Sequence, residues 1–238
     1  MAVYICRHGD RLGLDLHSRL STLGMQQTRD LGRVLAQQDA VCPLILCSAY
    51  DRCLETAVQI SLENGSVPIQ VEYGLSEGPV SQVQVFKSNK VLKHTYPLLD
   101  DAYTSHTPPP DPEYDQQDVL PRCTHMAEYI SSLLLASGGI QDIIVVTHGT
   151  VAIGLAATMV RRAHETVHDS IARLEGCAPA GFYKIVPSTS TFGGSPCWQT
   201  DGKCVKNHLS KEARENSTPT TPTCYIHPRH QTLQASLG

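Results

Sequence analysis

A three-layer α/β sandwich, with a mainly parallel central sheet flanked by helices, is predicted by three features of the 238-residue sequence. Short apolar runs of strand length alternate with stretches of helical periodicity. Each run ends in a polar or charged tip. The strongest run is apolar on both faces, which suits a parallel strand covered by helices on each side. Right-handed crossovers between such strands bring their carboxyl ends to one edge of the sheet, where a ligand crevice forms.

The first run, Ala2-Val3-Tyr4-Ile5-Cys6, has the length and β-branching of a buried strand and stops at Arg7-His8-Gly9-Asp10-Arg11. A helix follows from Thr22 to about Gln38, because Met25, Leu31, Val34 and Leu35 recur at helical spacing and Ser21 or Thr22 can cap it. The second run, Pro43 to Cys47, gives way to Ser48-Ala49-Tyr50-Asp51-Arg52 and a helix through about Glu63. A third strand around Ile69 to Glu72 leads to Gly74-Leu75-Ser76-Glu77-Gly78-Pro79. The fourth, Ile143-Ile144-Val145-Val146, ends in Thr147-His148-Gly149-Thr150 and an apolar helix from Val151 to Val160. Between residues 79 and 122 the pattern fails, and Pro108-Pro109-Pro110-Asp111-Pro112 marks an irregular, lid-like or flexible insertion. A helix from about Arg122 to Leu135 returns the chain to the sheet, and Gly181 to Val186 and Cys197 to Thr200 read as late edge strands. Residues 206–238 are polar, rich in Ser, Thr and Pro, and expected to be a flexible tail behind a domain of residues 1–205.

Composition narrows the function classes. With 19 basic and 23 acidic side chains, a net charge of −4 and a pI near 6.2, the chain has no broad electrostatic grip on nucleic acid or anionic membrane, so any anion site is local. Nine cysteines, an odd number without a C-x-x-C pair, read as reduced thiols. No apolar span reaches the length of about 18 residues that a membrane helix needs, and no signal-peptide core opens the chain, so the expected compartment is the cytoplasm, with the nucleus left open.

The strand tips carry the chemistry. They collect Arg7, His8, Arg52 and His148, and the third adds the carboxylate of Glu77. Arginine forks match phosphoryl oxygens and keep their charge, so two of them with two imidazoles make a dianion pocket. A neutral histidine there has a free ring nitrogen able to attack phosphorus, and an acid is then needed to protonate the leaving oxygen and later deprotonate water. Glu77 fits that role, with Asp10 and Asp51 as competing candidates near the tips.

Arg7-His8-Gly9 after the first strand, Ser48 through Arg52 with Thr56-Ala57 beyond, Glu77, and His148-Gly149 after an apolar strand resemble the histidine phosphatase (phosphoglycerate mutase-like) superfamily over roughly residues 3–160. Cys6 to Arg11, Gly74 to Glu77 and Trp198-Gln199-Thr200 are similar to the phosphatase domain of suppressor of T-cell receptor signalling proteins and of ecdysteroid-phosphate phosphatases, although Gly78-Pro79 stands where that group often has an aromatic residue. The resemblance implies that His8 is the phosphorylated nucleophile, that Arg7, Arg52 and His148 bind the phosphoryl oxygens, that Glu77 is the proton donor and that Arg11 is a further substrate contact. It implies a metal-independent phosphomonoesterase without a cofactor, acting on a phosphorylated small molecule or a phosphotyrosine protein. A single tryptophan disfavours a mutase.

Two other readings compete. His164-Glu165-Thr166-Val167-His168 is a formal H-E-x-x-H, the zinc-peptidase pattern, but its charged flanks leave little apolar face for a metal helix and no third ligand is placed. A catalytically weak phosphatase-fold interaction protein would use the Pro-rich insertion or the tail, yet all the expected reactive groups are present. The leaving group is left open: Phe86, Tyr96, Tyr103 and Tyr114 in the insertion admit an aromatic or apolar one without requiring it. The sequence leaves the oligomeric state undetermined.

Overall fold

A computed structural model describes residues 1–13, 15, 17–38, 43–78, 85–113, 115–138, 140–192 and 195–209. Strands β1 (Val3–Arg7), β2 (Leu44–Cys47), β3 (Ile69–Val71), β4 (Ile143–Thr147), β5 (Phe182–Phe192) and β6 (Ser195–Gln199) form one sheet in the order β3-β2-β4-β1-β5-β6. The four strands from β3 to β1 are parallel, while β5 and β6 close the other edge antiparallel. The fold is therefore α/β with a mixed, mostly parallel sheet, of the phosphoglycerate mutase-like kind. Strand β1 lies between β4 and β5, pairing Cys6 with Val146 and Arg7 with Thr147. That register sets the tip of β1 beside the tip of β4.

The alternation of side chains along β1 shows the layering. Val3 and Ile5 face a core completed by Met126, Ile130 and Leu134 of α4 (Gln116–Ala136) and by Ala152 and Leu155 of α5 (Gly149–Met159). Tyr4 and Cys6 face the opposite core, with Leu31 and Leu35 of α1 (Thr22–Ala36) and Leu54 and Ile60 of α2 (Asp51–Glu63). Each fully buried side chain of this kind stabilises the fold by about 1.5–3 kcal/mol, so one short strand ties both helical layers to the sheet. Helix α5 is apolar on nearly every face because sheet, α4 and α6 (Val167–Ala172) surround it.

Close approach of α1 shapes the first tip. Ser21 caps α1, accepting from the Gly24 N–H at 3.0 Å, and its hydroxyl donates to Asp10 Oδ2 at 2.5 Å. A Cβ on Gly24 would collide with the Asp10 carbonyl, and one on Gly9 would sit 2.7 Å from the Gly24 carbonyl oxygen. The two glycines let the helix lie directly on the turn after β1.

The span expected to be irregular holds more structure than its prolines suggest. Helix α3 (Asn89–Thr95) lies inside it, and α4 begins at Gln116 rather than near Arg122. Pro121 falls in the second turn of α4, where it removes one helical hydrogen bond but does not stop the helix. The buried Glu72 carboxylate ties down the loop before the Pro-rich stretch, accepting from Tyr103 Oη, Ser105 Oγ and the His106 and Thr107 backbone N–H groups at 2.7–3.0 Å. Burial alone would raise the pKa of Glu72, but these donors outweigh it and hold the carboxyl below its usual range. The start of the expected insertion at 79–84, Tyr114 and the tail from 210 onward lie outside the described residues. Leu209 is buried, so the chain packs against the body through that position. Among the described residues no helix is long and apolar enough to cross a membrane.

Candidate active site

The tips of β1, β2 and β4 and the turn after β3 bring Arg7, His8, Arg52, His148 and Glu77 together, with Arg11 at the rim. His8, Arg52 and His148 are buried, Arg52 and His148 completely. His8 Nδ1 lies 2.7 Å from the carbonyl oxygen of Gly9, and His8 Nε2 lies 3.3 Å from Arg52 Nε. A carbonyl can only accept and a guanidinium can only donate. The proton therefore sits on Nδ1, and Nε2 keeps its lone pair directed at Arg52. Burial first, then the charges of Arg52 and Arg7, push the pKa of His8 well below the ordinary histidine value, so the ring is neutral.

His148 is fixed by the same logic in the opposite tautomer. Its Nδ1 lies 3.3 Å from Arg52 Nη2, a donor, so Nε2 carries the proton and donates to Ser48 Oγ at 2.9 Å. Burial and then Arg52 lower its pKa as well. The ring stands edge-on to His8, with centroids 5.2 Å apart, and edge-on to Tyr50 at 5.0 Å. Tyr50 also lies under the Arg52 guanidinium, 4.7 Å from ring centroid to Cζ, and meets Phe86, which stacks on Tyr73.

Arg7 anchors one guanidinium nitrogen, Nη1, on the Cys177 carbonyl oxygen at 2.8 Å, while its Nε is buried without a partner among the described residues. An orphaned buried donor on a cation is costly unless an anion reaches it. Glu77, partly exposed, pairs through Oε2 with Arg52 Nη2, lies 3.7 Å from His148 Nδ1 and 3.9 Å from Arg11 Nη1. The competing carboxylates are engaged elsewhere: Asp10 accepts from Ser21, and Asp51 accepts from Tyr96 Oη at 2.7 Å.

Several supporting residues escape sequence reasoning. Arg122 of α4 donates through Nη1 to the carbonyls of Gly74 and Ser76, at 2.8 and 2.9 Å, and makes a two-pronged pair with Glu113. It thereby fixes the turn that carries Glu77. Gly78 is needed there, since a Cβ would collide with Glu113 and come within 2.7 Å of Arg122 Nη2. Ser48 and Thr56, quoted above only as members of a motif, support the site as well: Ser48 Oγ lies 2.9 Å from His148 Nε2, and Thr56 Oγ1 accepts the Gly9 N–H at 3.2 Å.

The H-E-x-x-H expectation is not met by the backbone. Thr166 and Asp169 form a reciprocal capping box that starts α6 at Val167, which leaves His164 in the preceding turn and puts only His168 on the helix. Glu165 is taken by Arg173 at 2.5 Å and by Arg162. The i, i+4 face that a zinc pair requires is therefore never formed. Among the described residues no group of three or more His, Cys, Asp or Glu side chains gathers to hold a metal.

The model of the histidine phosphatase superfamily (branch 1) matches residues 3–186. No curated protein matches the chain by sequence. Among solved structures, the ecdysone phosphate phosphatase of Bombix mori, in complex with tungstate, is similar with a TM-score of 0.65 at 14% identity, over 88% of this chain and 93% of that one. A mycobacterial glucosyl-3-phosphoglycerate phosphatase gives 0.59 at 19% identity, over 85% and 97%. The alpha-ribazole phosphatase of Shigella flexneri gives 0.55 at 19% identity, over 88% and 98%. At these identities the likeness is one of fold.

Proposed function

Because the chain belongs to the histidine phosphatase superfamily (branch 1), we propose that it hydrolyses phosphomonoesters by passing the phosphoryl group first to His8 and then to water. The observation that carries this reading is the state of His8: a neutral, tautomer-fixed imidazole whose free Nε2 faces a buried guanidinium at 3.3 Å. A phosphoryl dianion entering between Arg7 and Arg52 takes the Arg52 donor onto its oxygens and frees the Nε2 lone pair for in-line attack. Arg7 Nε, without a partner among the described residues, gains one in the same event. The rim residue Arg11 adds an oxygen contact, and His148 adds one in its other tautomer, with the proton on Nδ1 and Ser48 Oγ donating to Nε2.

As the Nε2–P bond forms, the P–O ester bond breaks and Glu77 gives its proton to the departing oxygen. Glu77, now a carboxylate, takes a proton from water, whose oxygen attacks phosphorus and returns His8 to its neutral form. The guanidiniums supply the charge stabilisation that the transferring group needs, so the reaction is proposed to run without added metal. Full possession of these groups, at contact distances, favours an active enzyme over a catalytically weak interaction protein.

A small phosphorylated molecule is the proposed substrate, supported by the compounds for which the three solved neighbours are named. A phosphotyrosine protein is the second reading, favoured by the aromatic group of Tyr50, Phe86 and Tyr73 beside His148. Turnover of both classes by the purified chain, with acid-labile phosphate trapped on the protein, tests the proposal. His8→Ala is expected to abolish both signals, and near-normal turnover by that variant would overturn the mechanism.

A further inference from the structure

Behind the phosphate pocket, Cys177 and Cys204 are both buried, with their sulfurs 4.0 Å apart. The proposed chemistry uses neither thiol. Cys177 lies within the loop between α6 and β5 that frames the turn after β1. In that loop the Gly181 carbonyl accepts the Arg7 N–H at 3.0 Å, the Ala180 N–H donates to the His8 carbonyl at 3.0 Å, and the Cys177 carbonyl holds the Arg7 guanidinium at 2.8 Å. The position of Arg7 is thus tied to the backbone of one cysteine of the pair.

We propose that Cys177 and Cys204 are a peroxide-reactive dithiol whose disulfide shifts the Cys177 carbonyl away from Arg7 and so weakens phosphate binding. Closing the gap from 4.0 Å to a bond of about 2.05 Å brings the sulfurs together by about 2 Å. Cys204 has little room to absorb that movement, because its sulfur fills the space beside Gly181 where a side chain would otherwise stand, and it also accepts the Ala178 N–H at 3.4 Å. The displacement therefore falls on the 177–178 backbone.

Cys204 is the attacking sulfur. It lies 4.0 Å from the Cys177 sulfur and accepts the Ala178 N–H at 3.4 Å, contacts that hold its thiol below the usual range against burial, while the same sulfur contact and burial push Cys177 up. Attack of the Cys204 thiolate on a peroxide oxygen breaks the O–O bond and gives a sulfenic acid and one water. Cys177 then attacks the Cys204 sulfur, the S–O bond breaks and a second water leaves. In sum, two thiols and one hydrogen peroxide give one disulfide and two waters. Access is through the short stretch after β6, where Cys204 is flanked by the exposed Lys203 and the half-buried Val205. That stretch is held to the body by the Glu175 N–H on the Gly202 carbonyl at 2.8 Å and by the Lys206–Glu175 pair.

The loss of turnover rests on the phosphatase reading, whereas the disulfide and its effect on anion binding do not. The full chain is treated with hydrogen peroxide, alkylated, cut with trypsin and mapped by mass, with turnover and tungstate binding measured in parallel. The fragments 174–184 and 204–206 are expected to appear joined and two hydrogens lighter than their sum. Turnover and tungstate affinity are expected to fall about tenfold or more, as when one charge-assisted contact is misaligned, and to return with dithiothreitol. Cys204→Ser should keep basal turnover and resist peroxide, and Cys197→Ser, which removes a half-buried thiol elsewhere, should behave as the parent. A link to Cys6 in place of Cys177, no link at all, or a link that leaves tungstate affinity intact overturns the proposal. If Cys204→Ser fails to fold, mapping and reversal in the parent chain decide. A parent chain without turnover would sink the phosphatase reading, and the map with tungstate binding would still decide the dithiol.

Discussion

Acidification from about pH 7.5 to about pH 5.5 probes the neutral state on which the proposed nucleophile depends. Burial, then Arg52, hold His8 and His148 well below the ordinary value of 6.5 in the folded chain. In the unfolded chain each binds a proton near pH 6.5. The unfolded state therefore holds more protons below that pH, and stability falls as pH falls, starting near 6.5 and continuing down to each folded pKa. For a group that stays neutral in the fold throughout, protonation of the unfolded chain contributes about 1.4 kcal/mol at pH 5.5 and about 0.1 at pH 7.5, so the two histidines together remove about 2.7 kcal/mol. His208, also lowered by burial, adds a smaller loss of the same sign, which the comparison of variants removes. Urea unfolding at both pH values should show the full loss in the parent chain and about 1.4 kcal/mol less in His8→Gln or His148→Gln. Nitrogen-15 NMR should place the proton on Nδ1 of His8 and Nε2 of His148. An unchanged pH dependence in both variants, or imidazolium signals in the folded chain near neutral pH, would refute the assignment.

Other consequences follow from the same geometry. Glu77→Gln is expected to be severe on an alkyl phosphate and mild on an activated aryl phosphate, whose oxygen leaves without a proton; a leaving-group-dependent loss confined to Asp10→Asn or Asp51→Asn would move the acid role. Arg52→Lys should lower tungstate affinity by about tenfold or more, because a point charge cannot meet His8 Nε2, His148 Nδ1 and Glu77 at once; parent-like affinity by calorimetry would show the pocket misread. Arg122→Ala leaves the buried Glu113 carboxylate unpaired, which costs about 3–5 kcal/mol, and frees the turn that carries Glu77. Thermal unfolding reads the first effect, and an alkyl-selective loss of turnover reads the second; equal losses on both substrates would argue that the turn is held by other contacts.

The residues proposed to react are legible because they lie at or just beyond the point where an apolar strand must stop. Arg7-His8, Arg52 and His148 follow runs that cannot continue past a charge, and parallel topology then fixes their neighbourhood without further information. The supports left no such trace. Arg122 finds its carbonyl acceptors 46 and 48 residues away, and a backbone carbonyl carries no side-chain signature to search for. The start of α4 was misplaced because Pro121 reads as a stop in isolation, although a proline in the second turn removes only one bond of a long helix. His164 and His168 show the converse: their spacing is formally correct, but Thr166 and Asp169 between and beside them cap a helix that begins one residue before His168. Spacing predicts a shared face only when nothing local starts the helix in the middle.

The site divides its work between groups that cannot lose charge and groups that must not gain it. Arg7, Arg52 and Arg11 supply guanidinium donors, so the proposed anion binding does not need protonated histidines. Burial, with those charges, also keeps His8 and His148 neutral, and neutrality leaves His8 Nε2 the free lone pair that the proposed attack needs. Replacing an arginine by a neutral residue therefore removes an anion contact and at the same time eases protonation of the nucleophile. Glu77 is in contact with this group of cations and reaches them from the partly exposed side. In the proposed reaction a leaving group departing toward solvent meets its acid there, while the guanidiniums donate to the phosphoryl oxygens from the buried side.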